Sequence, residues 1–297
     1  MSKIVRLDQS YDIWLTYSWS NNNHGICGHL YEVIDYFLIL QKHFKVGILL
    51  CEDMCWDVVD AAIRGKYDFS DDEIATIKSN TTFHNRPRLI TGRNILFTDG
   101  GVVNTSSVVL LFDNVFYFAC GNKEIQYNTQ PSVWVLQDDR VYAPVKVNGI
   151  NYKKRILFSR LKAVHRCDDR ALVYATKNCR QFFDFSQLRT YGMDILAVVS
   201  DIPTESYDNV TFIRPPVPDI FAKFSTYIYT PVPRKFDCSP RFIAECHHYG
   251  KQVIYHNVDY WDIDTGLYWR EWDIRNDFSS LALTEHDDII DIIGSRI

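Results

Sequence analysis

Glycine and proline are scarce in this chain, 13 and 10 residues of 297. That scarcity excludes collagen-like, linker-like and disordered readings. No apolar run approaches the ~20 residues of a membrane-spanning helix, so no membrane partner is expected. The opening residues Met1-Ser2-Lys3-Ile4-Val5-Arg6 lack the apolar stretch of a secretory leader, and none is expected. The eight cysteines include no CxxC pair, and their spacings fit no zinc module. Free, buried thiols of a reducing compartment are the expectation. A GxxxxGK[ST] segment is also missing, which argues against a P-loop NTPase.

What is present reads as a soluble globular protein, with 46% hydrophobic and 23% charged residues and an aromatic share of 14%. Its length suits one large domain or two of ordinary size. The formal net charge of −5 conceals an uneven distribution. Residues 151–190 hold ten Lys/Arg against three Asp, and residues 256–297 hold three Arg against ten Asp/Glu. The basic middle either serves a phosphate-bearing partner, or pairs with the acidic tail, or is simply solvated, and the sequence leaves these open.

The order of elements points to a parallel α/β architecture. A β-prone run at 13–17 leads through a polar loop into apolar residues at helical spacing, from Leu30 to Leu40. The run 46–51 is apolar on both faces, as a parallel strand under helices is. Helices are expected over 52–64 and from Ser70, whose Asp71, Asp72 and Glu73 favour a first turn. Strands follow at 88–91, 94–98, 108–112, 115–120 and 133–136, and Asp113-Asn114 suggests that some form hairpins. The pattern restarts with strands at 171–176, 194–200, 210–213, 226–230 and 252–256. Helices are expected up to Arg189, over 241–249 and in the acidic tail. Two α/β units in tandem are expected, joined near 150–170 and divided as 1–165 and 166–297.

Three segments carry candidate chemistry. The loop Asn21-Asn22-Asn23-His24-Gly25-Ile26-Cys27-Gly28 lies between a strand and a helix, where Gly25 and Gly28 would let backbone N–H groups approach an anion. A plain strand-to-helix turn explains it equally well. The segment Asp237-Cys238-Ser239-Pro240-Arg241 opens a helix, with Ser239 as N-cap and Pro240 at the first position. Its amides would face a ligand, with Asp237 before the helix and Glu245 within it. The third segment is Lys177-Asn178-Cys179-Arg180 after the strand 171–176, where Lys177 and Arg180 are suited to phosphate. For the second and third, a capped helix and surface charge are the plain alternatives.

Asp237-x7-Glu245 followed by Gly250-Lys251-Gln252-Val253-Ile254 resembles the Glu-x7-Glu motif of GT-B glycosyltransferases and the strand that trails it. Asp replaces the first Glu, and the spacing of Lys177 and Arg180 is narrower than that family's diphosphate-binding pair. Among such enzymes the chain looks most like the T-even-type bacteriophage glucosyl- and arabinosyltransferases acting on 5-hydroxymethylcytosine in DNA. The resemblance implies a GT-B fold, two Rossmann-like doubly wound domains facing a cleft, and a UDP-sugar donor held by the C-terminal one. Glu245 would hold the donor ribose, Asp237 the sugar hydroxyls, and Lys177, Arg180 and the amides around Cys238, Ser239 and Arg241 the diphosphate. No DxD-like site reads as a metal-ligand pair, so no metal and no cofactor are expected. Asp99 is the first candidate base and His24 the second, though Asp99 before Gly100-Gly101 also suits a simple turn. Duplex DNA would meet Arg86, Arg88 and Arg93, and Lys153, Lys154 and Arg155 with Arg160 and Lys162. A monomer in the cytoplasm of an infected host cell is implied. A glycan acceptor, or a nucleotide-sugar-binding module without catalysis, remains open.

Overall fold

A computed structural model describes residues 4–17, 28–51, 54–84, 89–97, 109–118, 133–136, 149–152, 155–175, 184–229, 241–256, 261–262, 267–268 and 278–297. The chain has a mixed α/β fold built on parallel sheets. Its first large sheet uses β2 (Ile13–Tyr17), β3 (Val46–Cys51), β4 (Thr81–His84), β6 (Asn94–Phe97), β8 (Asn114–Phe118), β9 (Val133–Leu136) and β10 (Gly149–Asn151). These seven lie in the order β10-β9-β8-β6-β2-β3-β4, and every neighbouring pair is parallel. The first three strands run outward on one side, and the rest are added on the other. The strand order therefore reverses between β2 and β6.

The second large sheet repeats that plan. It uses β11 (Ala171–Ala175), β12 (Ile195–Val199), β13 (Val210–Ile213), β14 (Thr226–Tyr229) and β15 (Gln252–Tyr255) in the order β13-β12-β11-β14-β15, again all parallel. Its reversal lies between β11 and β14. All of β12 and most of β11 are buried, because both faces are covered. Val173, Ala197 and Val199 pack with Phe185 and Leu188 on one face, and Leu172, Leu196 and Val198 with Phe221, Phe224 and Ile243 on the other. The expected helix before Arg189 is a 3-10 turn, Phe185–Tyr191, ended by Gly192 at φ 64°.

The helices follow from their sequences. In α1 (Gly28–Leu40) all residues from Glu32 to Leu40 are buried. A helix apolar nearly all round belongs inside. In α2 (Trp56–Lys66), Asp57 lies in the first turn and Arg64 and Lys66 in the last, matching the helix dipole. In α3 (Asp71–Ser79) the Ser70 hydroxyl accepts from the Glu73 N–H while Glu73 accepts from the Ser70 N–H, a complete capping box. α4 (Arg241–His248) covers the second sheet, and α5 (Asp288–Gly294) sends Ile289 and Ile293 into the core of the first.

The expected hairpin at Asp113-Asn114 does not form. The short strands β1 (Ile4–Arg6), β5 (Leu89–Thr91) and β7 (Val109–Leu111) make a third parallel sheet. Between β5 and β6 the break is Gly92-Arg93, and between β7 and β8 it is Phe112-Asp113. The ladder passes straight through both breaks, with Gly92 N–H donating to the Leu111 carbonyl at 3.2 Å and Asp113 N–H to the Arg93 carbonyl at 2.7 Å. Two bent strands thus run side by side. A tight hairpin turn needs positive φ, and Asp113 is not among the described residues that adopt it. The expectation of buried thiols also fails in part, since Cys246 is buried but Cys55 and Cys167 are exposed.

Candidate functional site

In an open parallel sheet, ligands bind beyond the carboxyl ends of the strands, where the strand order reverses. A helix that follows a parallel strand begins at that same end. α1 follows β2 and α4 follows β14, so each begins at a reversal point, one in each sheet. The two helix starts touch. A Cβ built on Gly28 lies 3.7 Å from the Cβ and Cδ of Arg241.

From that contact the Arg241 side chain runs along α1. Its Nη1 donates to Asp35 Oδ2 at 2.6 Å, its Nη2 to the Tyr67 hydroxyl at 3.1 Å and its Nε to Glu245 Oε1 at 2.6 Å. The Tyr67 hydroxyl in turn donates to Asp35 Oδ1 at 2.7 Å, and the Leu157 N–H reaches Asp35 Oδ2 at 3.2 Å. Lys66, from the last turn of α2, donates to Glu245 Oε2 at 2.7 Å and lies 4.0 Å from the centre of the Tyr31 ring. Two basic and two acidic side chains gather here, Lys66 14% exposed and the other three buried; burial raises the Asp35 carboxyl, and Arg241 opposes that shift. Charges buried without such pairing would not be tolerated.

The charge states follow from this packing. Burial alone would raise the Glu245 carboxyl, but Lys66 and Arg241 hold it below its ordinary value. Burial would lower the Arg241 guanidinium, and Asp35 with the other acidic neighbours carries it well above the usual range. Burial pushes the Lys66 ammonium down, a shift that Glu245 only partly opposes. Beside the network, His29 Nδ1 meets the buried Glu32 Oε2 at 2.8 Å. Among the described residues no three His, Cys, Asp or Glu side chains gather as a metal site requires.

Of the residues singled out from sequence, Gly28, Arg241 and Glu245 meet here. Both Glu245 oxygens are occupied, one by Arg241 a turn earlier on the same helix and one by Lys66, a partner that the motif spacing does not contain. His24, Gly25, Asp99, Lys177, Arg180, Asp237, Cys238 and Ser239 lie outside the described residues, as do Arg86, Arg88, Lys153 and Lys154. Of the four remaining basic candidates, two are engaged. Arg155 binds Asp287 and approaches Asp288 at 3.4 Å, Arg160 grips Glu73 at 2.7 Å, and Arg93 is exposed near Asp12. The basic middle and the acidic tail therefore pair at Arg155. Lys162 remains exposed.

The sequence reading missed Asp35, Lys66 and Tyr67. A signal was present for Asp35, which stands inside Val33-Ile34-Asp35-Tyr36-Phe37-Leu38. An acid within an apolar stretch, on a helix that must be buried all round, requires a cationic partner. No helix among the described residues is long and apolar enough to cross a membrane. A scan of the chain against protein-family models finds no match, and a search of curated proteins finds none either.

Proposed function

We propose that this protein is a GT-B-type glycosyltransferase that moves a sugar from a UDP-sugar to the hydroxymethyl group of 5-hydroxymethylcytosine in DNA. One observation carries the donor half of this reading. Two parallel sheets of like strand order bring the helix starts at their reversal points into contact at Gly28 and Arg241. The first N–H groups of a helix have no partner within it, and its start is the positive end of a dipole. Two such starts converging form a setting for a diphosphate. Negative charge grows on the departing diphosphate as the glycosidic bond to the sugar breaks. Fixed donors there would lower the barrier without having to reorganise.

The acceptor half rests on the likeness to the T-even-type bacteriophage enzymes and on the basic residues near 84–93 and 153–162. Arg155 and Arg160 are committed to internal acids, and that observation favours a second reading, a glycan acceptor at the same donor site.

One assay separates the readings. UDP release is measured from several UDP-sugars, with hydroxymethylated duplex DNA, with unmodified DNA and without DNA. Release that requires hydroxymethylated DNA, falls steeply with salt and persists with a chelator is the expected result. Turnover only with a glycan would move the acceptor, UDP binding without any release would remove catalysis, and loss of turnover with chelator would overturn metal independence.

A further inference from the structure

Arg241 belongs to the candidate site in two different ways. Its backbone forms the start of α4, the end that attracts anions. Its guanidinium is carried inward instead, with a side chain only 6% exposed. All three guanidinium nitrogens are already donating, to Asp35 on α1, to Tyr67 beyond α2 and to Glu245 on its own helix. Three of its five N–H donors are spent in this way, and the side chain is enclosed. Lys66 makes a parallel link from α2 to Glu245. The contact between the two helix starts is therefore held by ion pairs Arg241–Asp35 and Lys66–Glu245, both reaching from α4 to the helices of the first sheet. Packing adds to the same seam, where Ile156 and Leu281 cluster with Ala244 and the ring of Phe158 stacks on His248.

We propose that Arg241 is a positioning residue: through Asp35 it fixes the start of α4 against the start of α1. The grip of the crevice on a nucleoside diphosphate then depends on this side chain although its guanidinium does not touch the ligand. The ligand half of this inference rests on the donor site proposed above, whereas the contact half does not. The planar fork matters here, because it reaches three acceptors in three directions. A single ammonium on a flexible stem cannot span them.

Amide hydrogen exchange and UDP calorimetry test the inference together. Asp35→Asn keeps the side-chain size and an acceptor for Tyr67 while removing the charge that faces Arg241. Exchange over 241–248 and 28–36 is expected to quicken at least about tenfold, with the centres of β3 and β11 unchanged. A residue that merely stabilised the whole fold would speed all slow amides alike. UDP affinity is expected to drop about tenfold or more. Arg241→Lys, which preserves the charge at the helix start, is expected to match Asp35→Asn. Tyr67→Phe removes only one hydroxyl and is expected to move both readouts in the same direction by a smaller factor. It decides the matter if Asp35→Asn does not fold. Exchange over 241–248 that stays at the parental rate in the folded variants overturns the inference, and so does parental UDP affinity. If the parent protein itself binds no UDP, the donor-site reading falls, and the exchange result alone decides whether Arg241 fixes the two helices.

Discussion

At the scale of single residues, partnership decides what a charged side chain does here. Glu73 shows this in a measurable way. It caps α3 through Ser70 and receives Arg160 Nη1 at 2.7 Å. Arg160 first, and then the Ser70 donors, hold its carboxyl down at about 2, against an ordinary 4.5. The folded value lies below the unfolded one, so the contribution is complete above about pH 4.5 and is lost as pH falls toward 2. Both side chains are a third exposed, and solvent screening limits the contribution to about 1 kcal/mol. Urea titrations of the parent and Glu73→Gln should differ by about that amount at pH 6, and the difference should vanish near pH 2. A difference that stays constant with pH would contradict this account. Glu73 was legible in the sequence, since Ser70-x-x-Glu73 is a capping signature. The partner Arg160 was not, because 87 positions separate the two.

At the scale of elements, the long apolar runs were the readable part. The β3, β11 and β12 segments declare themselves because strands buried on both faces are apolar throughout. The kinked pair of strands through Gly92 and Asp113 was not readable. A two-residue polar break looks the same in a hairpin and in a bent parallel ladder, and only the neighbouring strand distinguishes them. Neighbouring strands also explain Gly47. It sits opposite Trp14 in the β2–β3 register, and a Cβ there would lie 2.6 Å from the indole ring. Trp14 is 3% exposed and has little room to retreat. Gly47→Ala should cost about 1–3 kcal/mol by overpacking, read as a lower urea midpoint. A parental midpoint would mean that the indole shifts freely.

At the scale of the whole molecule, the acidic tail closes the fold. Arg155 N–H donates to the Tyr36 hydroxyl at 3.0 Å, the Tyr36 and Tyr152 hydroxyls lie 2.9 Å apart, and Tyr152 donates to Asp287 Oδ1 at 2.9 Å. Asp287 also accepts the Ile289 N–H and caps α5. Asp287→Ala removes the buried acceptor of Tyr152 and the nearer of two acids that meet Arg155, whose side chain is 23% exposed, at a cost of about 1–3 kcal/mol. Residues 278–297 should then become open to limited proteolysis before the first sheet unfolds. Equal protease resistance in parent and variant would count against this role for the tail. By itself the sequence determined the parallel α/β class, the strands buried on both faces and the capping of α3. Each of these depends on residues within one turn or one strand, where spacing controls geometry. Tertiary structure alone decided that Arg155 would pair with Asp287 rather than face a partner. It likewise decided that Lys66 would reach Glu245, and that Asp35 would supply the charge matching Arg241. Those choices join positions more than a hundred residues apart, and which charges meet is set by how sheets and helices pack, a property that no local spacing encodes.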